Sequence, residues 1–510
     1  MCARASSAGR HRRTLVIGAG AGAFAALSLA DAGARVTLVD KASGLLTGAS
    51  GRNGRRLHLG EHYSADIVSS QDETALNTGR LCFLGALQMA RKFPFLSSRD
   101  AVWWQFLPPD SMTSVAAYDE HLAGLRVFHR FLARIDDSVD ALFGEAAARH
   151  ARLPESVLRA HVAPDAAVAG YSSRESVIDL ARLRRVVTAR LKQSDNPADI
   201  RMNTYVTRID RVGDEYQVWM RARHGRTTRE NFDLVVNATW HDIPRLASMV
   251  APDSGSRDTV RLKLFVTARM PPKLAAAPSF YFHRGVFGNH TNAGNGLAIV
   301  TSEAISNFAF ARADRIPRSW RTLLHEGLYG AAGIDALSRL ADEPNNAAGT
   351  TGCTRARDAL EIALRNAGQG APARAVAVAA RHALAQEVVS DYAELVPEFK
   401  AAAATGLNFS TVVTVGRADL PDPDSPVHIR SFCVKEVAPG FYNLNPGKLT
   451  LVQLAGDFLA AIALDRTMHD NPFDEVIHGL IQANWLRDGE VLINEWSEHH
   501  RHQPEHCHDE

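Results

Sequence analysis

The pattern that most constrains this chain lies in residues 14–40. Residues 14–17 are a short apolar run, the length of a buried strand. Gly18-Ala19-Gly20-Ala21-Gly22-Ala23 follows at once, and an Ala/Leu-rich stretch then predicts a helix stopping near Gly33. Residues 35–39 (RVTLV) are β-branched and strand-like, and Asp40 closes them. The spacing is G-x-G-x-x-A, with Ala23 as the third small residue. Gly18 permits a tight turn, Gly20 lets a pyrophosphate approach the backbone, and Ala23 lets helix and strand pack closely. The helix N-terminus adds free N–H groups and a positive dipole end for phosphates. Asp40, twenty residues after Gly20, is placed to accept hydrogen bonds from a ribose. The unit predicts a dinucleotide-binding βαβ fold. The competing reading is an Ala/Gly-rich packing turn.

The rest of the chain is long enough to build on that unit. At about 100–200 residues per domain, 510 residues allow two to four domains. Apolar residues at 46% exclude disorder as the main state. Lys plus Arg is 57 against 56 for Asp plus Glu, an even balance that gives no support to a nucleic-acid or membrane-surface partner. The five cysteines are widely spaced with no C-x-x-C pair, which fits a reducing cytoplasm and not a disulfide framework or zinc ribbon. Arg4, Arg10, Arg12 and Arg13 before an apolar run imitate a secretory leader, but the patterned glycines favour a structural reading. No uninterrupted apolar run reaches membrane-spanning length.

Residues 80–165 read as mostly helical with aromatic clusters, and 180–191 as a further helix. Strands are predicted across 201–236 and 260–300, an Ala-rich helical region over 310–404, and two strands and a closing helix over 411–465. Strand–helix alternation at both ends with a mixed middle implies a nucleotide domain assembled from separated segments.

Four stretches together resemble the flavin-dependent D-amino-acid oxidase-like (glycine/sarcosine oxidase-like) oxidoreductases. They are VIGAGAGAFAALSLADAGARVTLVDK (16–41), TGASGRNGRRLHLGEHYSAD (47–66), DLVVNATW (233–240), and VGRADLPDPDSPVHIRSF…APGFYNLNPGKLT (415–450). The first is common to Rossmann-type enzymes; the second and fourth point to this family. Position 240 is Trp where the family's strand usually ends in Gly, and the closing loop Asn445-Pro446-Gly447-Lys448 has fewer glycines than usual. Residues 310–400 and the tail beyond 466 match nothing closely.

The resemblance implies an α/β fold. A Rossmann-like FAD-binding domain would comprise 10–80, 171–250 and 405–465. A mixed-sheet α+β substrate domain would comprise 81–170 and 251–404, with 466–510 a C-terminal helix and His-rich tail. It implies an enzyme that dehydrogenates the C–N bond of a small amine or amino-acid-like substrate, with FAD as hydride acceptor and oxygen or another acceptor downstream. Oxidation of a hydroxy acid or sugar-type alcohol is the runner-up. A flavin-bound protein without turnover and a nicotinamide enzyme using the first motif alone are further readings. Cofactor contacts are expected from Gly18, Gly20, Ala23, Asp40, Lys41, Ser50, Asn53, Gly54, Val206, Ala238, Thr239, Gly447 and Lys448.

The densest functional-looking cluster follows the Gly/Ser/Asn loop: Arg55, Arg56, His58, His62 and Tyr63. A guanidinium there suits a carboxylate, and a histidine suits a proton from an amine or alcohol. The bland alternative is surface ion pairs and a core histidine. His58 is also a position for covalent flavin attachment. Lys448 is placed to put a cation near the flavin; Arg417, Tyr442 and Asn445 accompany it, and His283, Arg284, Asn289 and His290 form a polar loop with His290 a second-rank base. No metal site is expected: His325-Glu326 lacks the second histidine of a zinc-protease helix, and the five histidines in the last twelve residues read as a polar terminus.

Overall fold

The computed structural model describes residues 12–464, apart from 65–66, 68–70, 72–74, 98–102, 253–257, 343–351, 369 and 415–431, together with 486–487 and 490–491. Arg417, most of the fourth matching stretch and the His-rich tail therefore lie outside the described residues.

The strand Arg13–Ile17 sits inside an eight-stranded sheet. It pairs in parallel with Arg35–Val39 on one side and Leu234–Asn237 on the other. Asp199–Arg201 and Phe441–Asn445 extend the sheet in parallel, Cys433–Ala438 pairs antiparallel with Phe441–Asn445, and the short strands Glu490–Val491 and Leu486–Arg487 follow antiparallel beyond it. Strands of this kind are covered on both faces, so each reads as a continuous apolar run. Along it the side chains alternate: Val16, Val36 and Val236 join a core with the helices Ala21–Asp31, Thr78–Lys92, Leu180–Gln193 and Val452–Leu464. Leu15, Ile17, Val39 and Val235 face a second core with the antiparallel strands Thr204–Val212, Glu215–Ala222 and Thr227–Phe232.

A second eight-stranded sheet forms the other lobe. Its long central strand Thr259–Arg269 pairs antiparallel with Ala403–Thr414 along its length. Leu297–Ser302, Gly288–Gly294, Ser279–Phe282, Trp103–Leu107 and Ala169–Ser173 follow on the other side. The helices Arg318–Glu326, Ala331–Asp342, Gly352–Ala367 and Ala373–Leu395 pack on this sheet.

Several segments lie elsewhere than expected. The aromatic run at 103–107 is a strand, because alternate side chains pack on both faces of the second sheet. Ala403–Thr414 and Ala169–Ser173 belong to the second sheet, although residues 405–465 and 171–250 were expected in the nucleotide unit. Conversely Thr78–Lys92, mostly within the expected substrate segment 81–170, buries Leu81, Leu84 and Leu87 in the nucleotide-lobe core. Apolar periodicity shows that a helix has a buried face, not which lobe buries it.

Candidate active site

A cavity of about 1460 Å³ runs between the lobes. Gly18–Ala21, Asp40–Ser43, Thr47–Ser50, Asn203–Val206 and Ala238–Asp242 line one end. Residues 52–56, His58, His62, Tyr63, Trp103, Arg261, Lys263, Tyr281, Glu303 and 446–449 line the other.

At the first end the backbone forms a cradle. Gly18 has φ +101°, and a Cβ there would lie 2.5 Å from the Ala238 carbonyl oxygen. A Cβ on Gly20 would meet Ser50 Oγ at 2.7 Å. Gly22, which the motif leaves unspecified, would press a Cβ to within 2.9 Å of Val16 and 3.1 Å of Ala238, so the helix–strand contact rests on Gly22 as well as the buried Ala23. Gly20 is the N-cap of Ala21–Asp31 and no side chain caps that helix, which leaves its first N–H groups for a ligand in the cavity. The Asp40 carboxylate accepts from the Ala19 N–H at 2.5 Å and the Ala42 N–H at 2.7 Å. It thereby ties together the turns that follow the first two strands, and it retains lone pairs for a ribose. Lys41 lies beside it but its ammonium pairs with Asp242 at 2.8 Å, where Arg321 also binds at 2.6 Å. Burial opposes the Asp242 charge, yet Lys41, His241 and Arg321 outweigh it and hold the carboxyl well below its usual range. These groups fit a dinucleotide: two glycines let the turn close tightly on Ala238 and Ser50 where a side chain would clash, and the helix end beside them is uncapped.

The loop 48–54 crosses the middle of the cavity. Asn53 holds it, donating to Ala49 and Ser50 carbonyls and accepting from the Arg55 N–H at 2.8 Å. Thr291 donates to the Gly54 carbonyl at 2.6 Å. Thr239 donates to Asn237 Oδ1 at 2.6 Å. Trp240 adopts φ +61°, the backbone region that glycine takes without strain. Its indole donates to the Thr411 carbonyl at 3.0 Å, so the strained residue also bridges to the second lobe.

On the opposite wall the two neighbouring arginines differ. Arg56 is buried, ion-paired with the wholly buried Glu175, and its guanidinium lies 4.2 Å from the Trp103 ring centroid and 5.0 Å from that of Tyr281. Arg55 has φ +54°, and among the described residues its guanidinium has no hydrogen bond or ion pair; its buried Nε lacks a partner. Of the two arginines named as candidates for an anion anchor, the structure thus ties Arg56 to a protein carboxylate. Arg56 is committed, because the two-stranded ladder of Arg56–Leu57 with Ser176–Val177 brings Glu175 against it.

His62 packs edge-on to Tyr281 at 4.1 Å and its Nε2 is 3.3 Å from the Tyr281 hydroxyl, while its Nδ1 has no partner. Part of the ring lines the cavity, but Nδ1 itself is buried. Burial, then the neighbouring His58, Arg56, Lys448 and His283, hold its pKa well below the usual value, so the ring is neutral. The His58 N–H donates to Thr450 Oγ1 at 3.0 Å and its Nδ1 is 3.8 Å from Glu175. The Lys448 ammonium stands 5.3 Å above the Tyr63 ring, next to Gly447 at φ +69°.

Two further candidates are excluded from the site. His290 is wholly buried against Phe280, Tyr392 and Phe399 with Nδ1 2.9 Å from the Tyr392 hydroxyl; burial pulls its pKa down to about 3. Tyr442 is a core residue of its strand, with burial raising its pKa to about 12. Arg284 and Asn289 line the cavity. Unforeseen were Glu61, Trp103, Glu175 and Tyr281 on or behind the wall, and Lys263 with Glu303, whose carboxyl is held at about 2 by Lys263 and Arg261 against the cost of burial. Each is a polar or aromatic residue in an ordinary strand or loop, so the sequence carries no local signal for them. Among the described residues no group of three His, Cys, Asp or Glu is placed to hold a metal, and no helix is long and apolar enough to cross a membrane.

A backbone cradle for a dinucleotide, facing a wall of cations and aromatic rings, defines a nucleotide-cofactor oxidoreductase. More narrowly, the chain belongs to the FAD dependent oxidoreductase family, whose model matches residues 13–329, and it is an FAD-dependent oxidoreductase. Its fold is that of a glycine oxidase from Geobacillus kaustophilus (14% identity, TM-score 0.53, 90% of this chain and 96% of that one). L-proline dehydrogenase from P. horikoshii (12%, 0.54, 92% and 99%) shares it as well. So does L-alpha-glycerophosphate oxidase from Mycoplasma pneumoniae (15%, 0.51, 90% and 97%). No curated protein matches the chain.

Proposed function

We propose that this enzyme dehydrogenates the C–N bond of a small, amino-acid-like amine that carries an anionic group. The observation that carries the reading is Arg55, a cation with no partner among the described residues, which lines the same cavity wall as the neutral His62. The glycine oxidase and the L-proline dehydrogenase that share the fold support it, and the glycerophosphate oxidase marks the competing alcohol chemistry.

When bound, FAD supplies the hydride acceptor. Gly18, Gly20, Ala23, Ala238 and Thr239 would form the cradle, with Asp40 and Lys41 at the ribose and Val206 at the adenine end. Ser50, Asn53 and Gly54 would support the middle, and Gly447 and Lys448 the flavin end. Arg55 binds the substrate's anionic group with its planar fork of donors. His62 then acts at Nδ1. With the ring proton on Nε2, donated to the Tyr281 oxygen, Nδ1 is a lone-pair acceptor. A ring held so far from protonation is a poor proton acceptor, so it takes a hydrogen bond from the substrate N–H and orients the adjacent C–H bond. The amine therefore reacts as its free base, having left its proton to solvent. Trp103 and Tyr281 keep water from the wall. The wide cysteine spacing suits a cytoplasmic setting.

The test is the spectrum of the purified protein, followed by anaerobic bleaching with panels of amino acids, simple amines, hydroxy acids and sugar-type alcohols. Bleaching by anionic amines, faster as pH rises toward the amine's own pKa, is expected. Bleaching by hydroxy acids or sugar-type alcohols and by no amine would transfer the reading to alcohol oxidation. Bound FAD that nothing bleaches would mean a protein without turnover. Readmitted air restoring the colour would identify oxygen as acceptor.

A further inference from the structure

Behind the cavity wall lies a carboxyl pair that the reaction as described does not use. Glu175 precedes the strand Ser176–Val177, which pairs with Arg56–Leu57, so its side chain lies beside the chain entering His58. Its Oε2 is ion-paired with Arg56 Nε; its Oε1 accepts from the Leu59 N–H at 2.8 Å and is 3.8 Å from His58 Nδ1. Glu61 is also buried. Its Oε1 accepts from Arg149 Nε at 3.1 Å, but among the described residues its Oε2 faces no donor. Leu59 joins the two carboxyl groups: its N–H goes to Glu175, and its carbonyl accepts from Arg149, the cation that holds Glu61, so the two carboxyls are close neighbours behind the wall.

Two ionised carboxylates are both pure acceptors and cannot bond to each other; one proton converts the contact into a charge-assisted hydrogen bond. Its position follows from the donors already present. Glu175 has Arg56 and the Leu59 N–H to stabilise its charge, whereas Glu61 has an oxygen with none. Arg149, His150 and His121 face the Glu61 side, Arg56 and His58 the Glu175 side, and Tyr118 stands near both. Burial is the largest influence on Glu61 and favours its neutral form, with Glu175 adding to it against Arg149.

We propose that Glu61 and Glu175 share one proton, held on Glu61, and that the pair positions Arg56 and His58 on the wall of the active site. Glu175 is a positioning residue. Its charge holds Arg56 against Trp103 and Tyr281, and Tyr281 in turn meets His62. The state of the pair therefore bears on the orientation of the group that receives the substrate N–H. This rests on the amine reading only in its kinetic arm.

The first arm needs no substrate. Infrared spectra of the holoenzyme in light and heavy water at neutral pH should show a protonated-carboxyl C=O band that shifts on deuteration and disappears in E61Q. Absence of the band from the wild type, or its survival in E61Q, overturns the proposal. The second arm uses any substrate that bleaches the flavin. E175Q should slow limiting bleaching by about a hundredfold with little change in half-saturation, the signature of lost orientation. E61Q, whose amide still donates to Glu175, should slow it by no more than about threefold. Equal slowing by both variants, or an unslowed E175Q with full FAD content, overturns the positioning role. Should E175Q fail to fold, E175D keeps the charge at shorter reach; it should be slower than E61Q, and a rate equal to or above that of E61Q counts against the proposal. If no substrate bleaches the flavin, the amine reading fails while the infrared arm still decides the proton.

Discussion

The end of the cavity that we assign to the nucleotide is built of backbone: an uncapped helix, two glycines, and a carboxylate that ties strand ends together. The wall that we assign to the substrate is built of side chains drawn from residues 55–63, 103, 261–263, 281 and 303, held by buried ion pairs and ring contacts. The first end tolerates little added volume, and its buried Asp242 is already matched by two cations, Lys41 and Arg321. The second depends on charge balance in a dry interior, where a single unpaired group is costly. Mutations and pH should therefore act differently on the two ends.

The largest effect should come from acid, which acts on more buried rings at and behind the wall than at the cradle, where burial lowers His241 to about 4. Burial lowers the pKa of His62 and His283 well below normal, of His121 to about 4, and of His150 to about 3. Below about pH 6.5 the unfolded chain binds protons that these native rings refuse. Each ring then removes about 1.4 kcal/mol of stability per pH unit until its own folded pKa is reached. Stability is thus full above that pH and lost as pH falls. Denaturant titrations from pH 7 to 5 should show a steep decline, and a flat profile would mean these rings are hydrated.

Next comes Arg56→Ala. It leaves Glu175 buried beside Glu61 with its cation gone, and should lower the unfolding free energy by about 3–5 kcal/mol. Urea unfolding measures this; a loss below 1 kcal/mol, by the same reasoning, would place water behind the wall.

Gly18→Ala tests the cradle. The new Cβ meets the Ala238 carbonyl at 2.5 Å in a left-handed backbone region, and the neighbour is main chain. A cost of about 2–4 kcal/mol is expected from strain and overpacking together, with loss of FAD from the purified protein. Full FAD content in a stable variant would show that the turn yields.

Arg55→Ala should leave stability within about 0.5 kcal/mol, since no partner is lost. It should lower kcat/KM for an anionic amine by about 10–100-fold, the worth of one or two charge-assisted hydrogen bonds, and spare an uncharged amine. Equal losses for both amines would remove Arg55 from substrate binding. The mildest change is Gly20→Ala, whose Cβ meets the movable Ser50 hydroxyl at 2.7 Å. It should weaken FAD retention by about 1 kcal/mol, read from the dissociation constant of the apoprotein, and Ser50→Ala should restore part of it.

Much of the architecture was legible in the chain. The βαβ unit at 13–40, the strand leading to Thr239 and the loop before Val452–Leu464 are each written in consecutive residues, because a tight turn or an uncapped helix imposes its needs on neighbours in sequence. Lobe membership was less legible. The strand Ala403–Thr414 and the helix Thr78–Lys92 have the right local patterns, but an apolar face does not state which core will bury it.

The site divides along the same line. Sequence alone determined that residues 55–63 would carry a cluster of cations and histidines next to the loop 48–54 and that the first glycines would form a cradle. Tertiary structure decided which cluster members are free. Arg55 and Arg56 are adjacent and identical in type. What separates them is Glu175, 119 residues later in the chain than Arg56, brought to one of them by a two-stranded ladder and not to the other. The same distant packing gave His62 its Tyr281 partner, its neutral ring and its buried, unpartnered Nδ1. Whether a charge is paired or a ring is dry depends on neighbours in space, and those neighbours come from strands whose sequence distance from the cluster is set by nothing local.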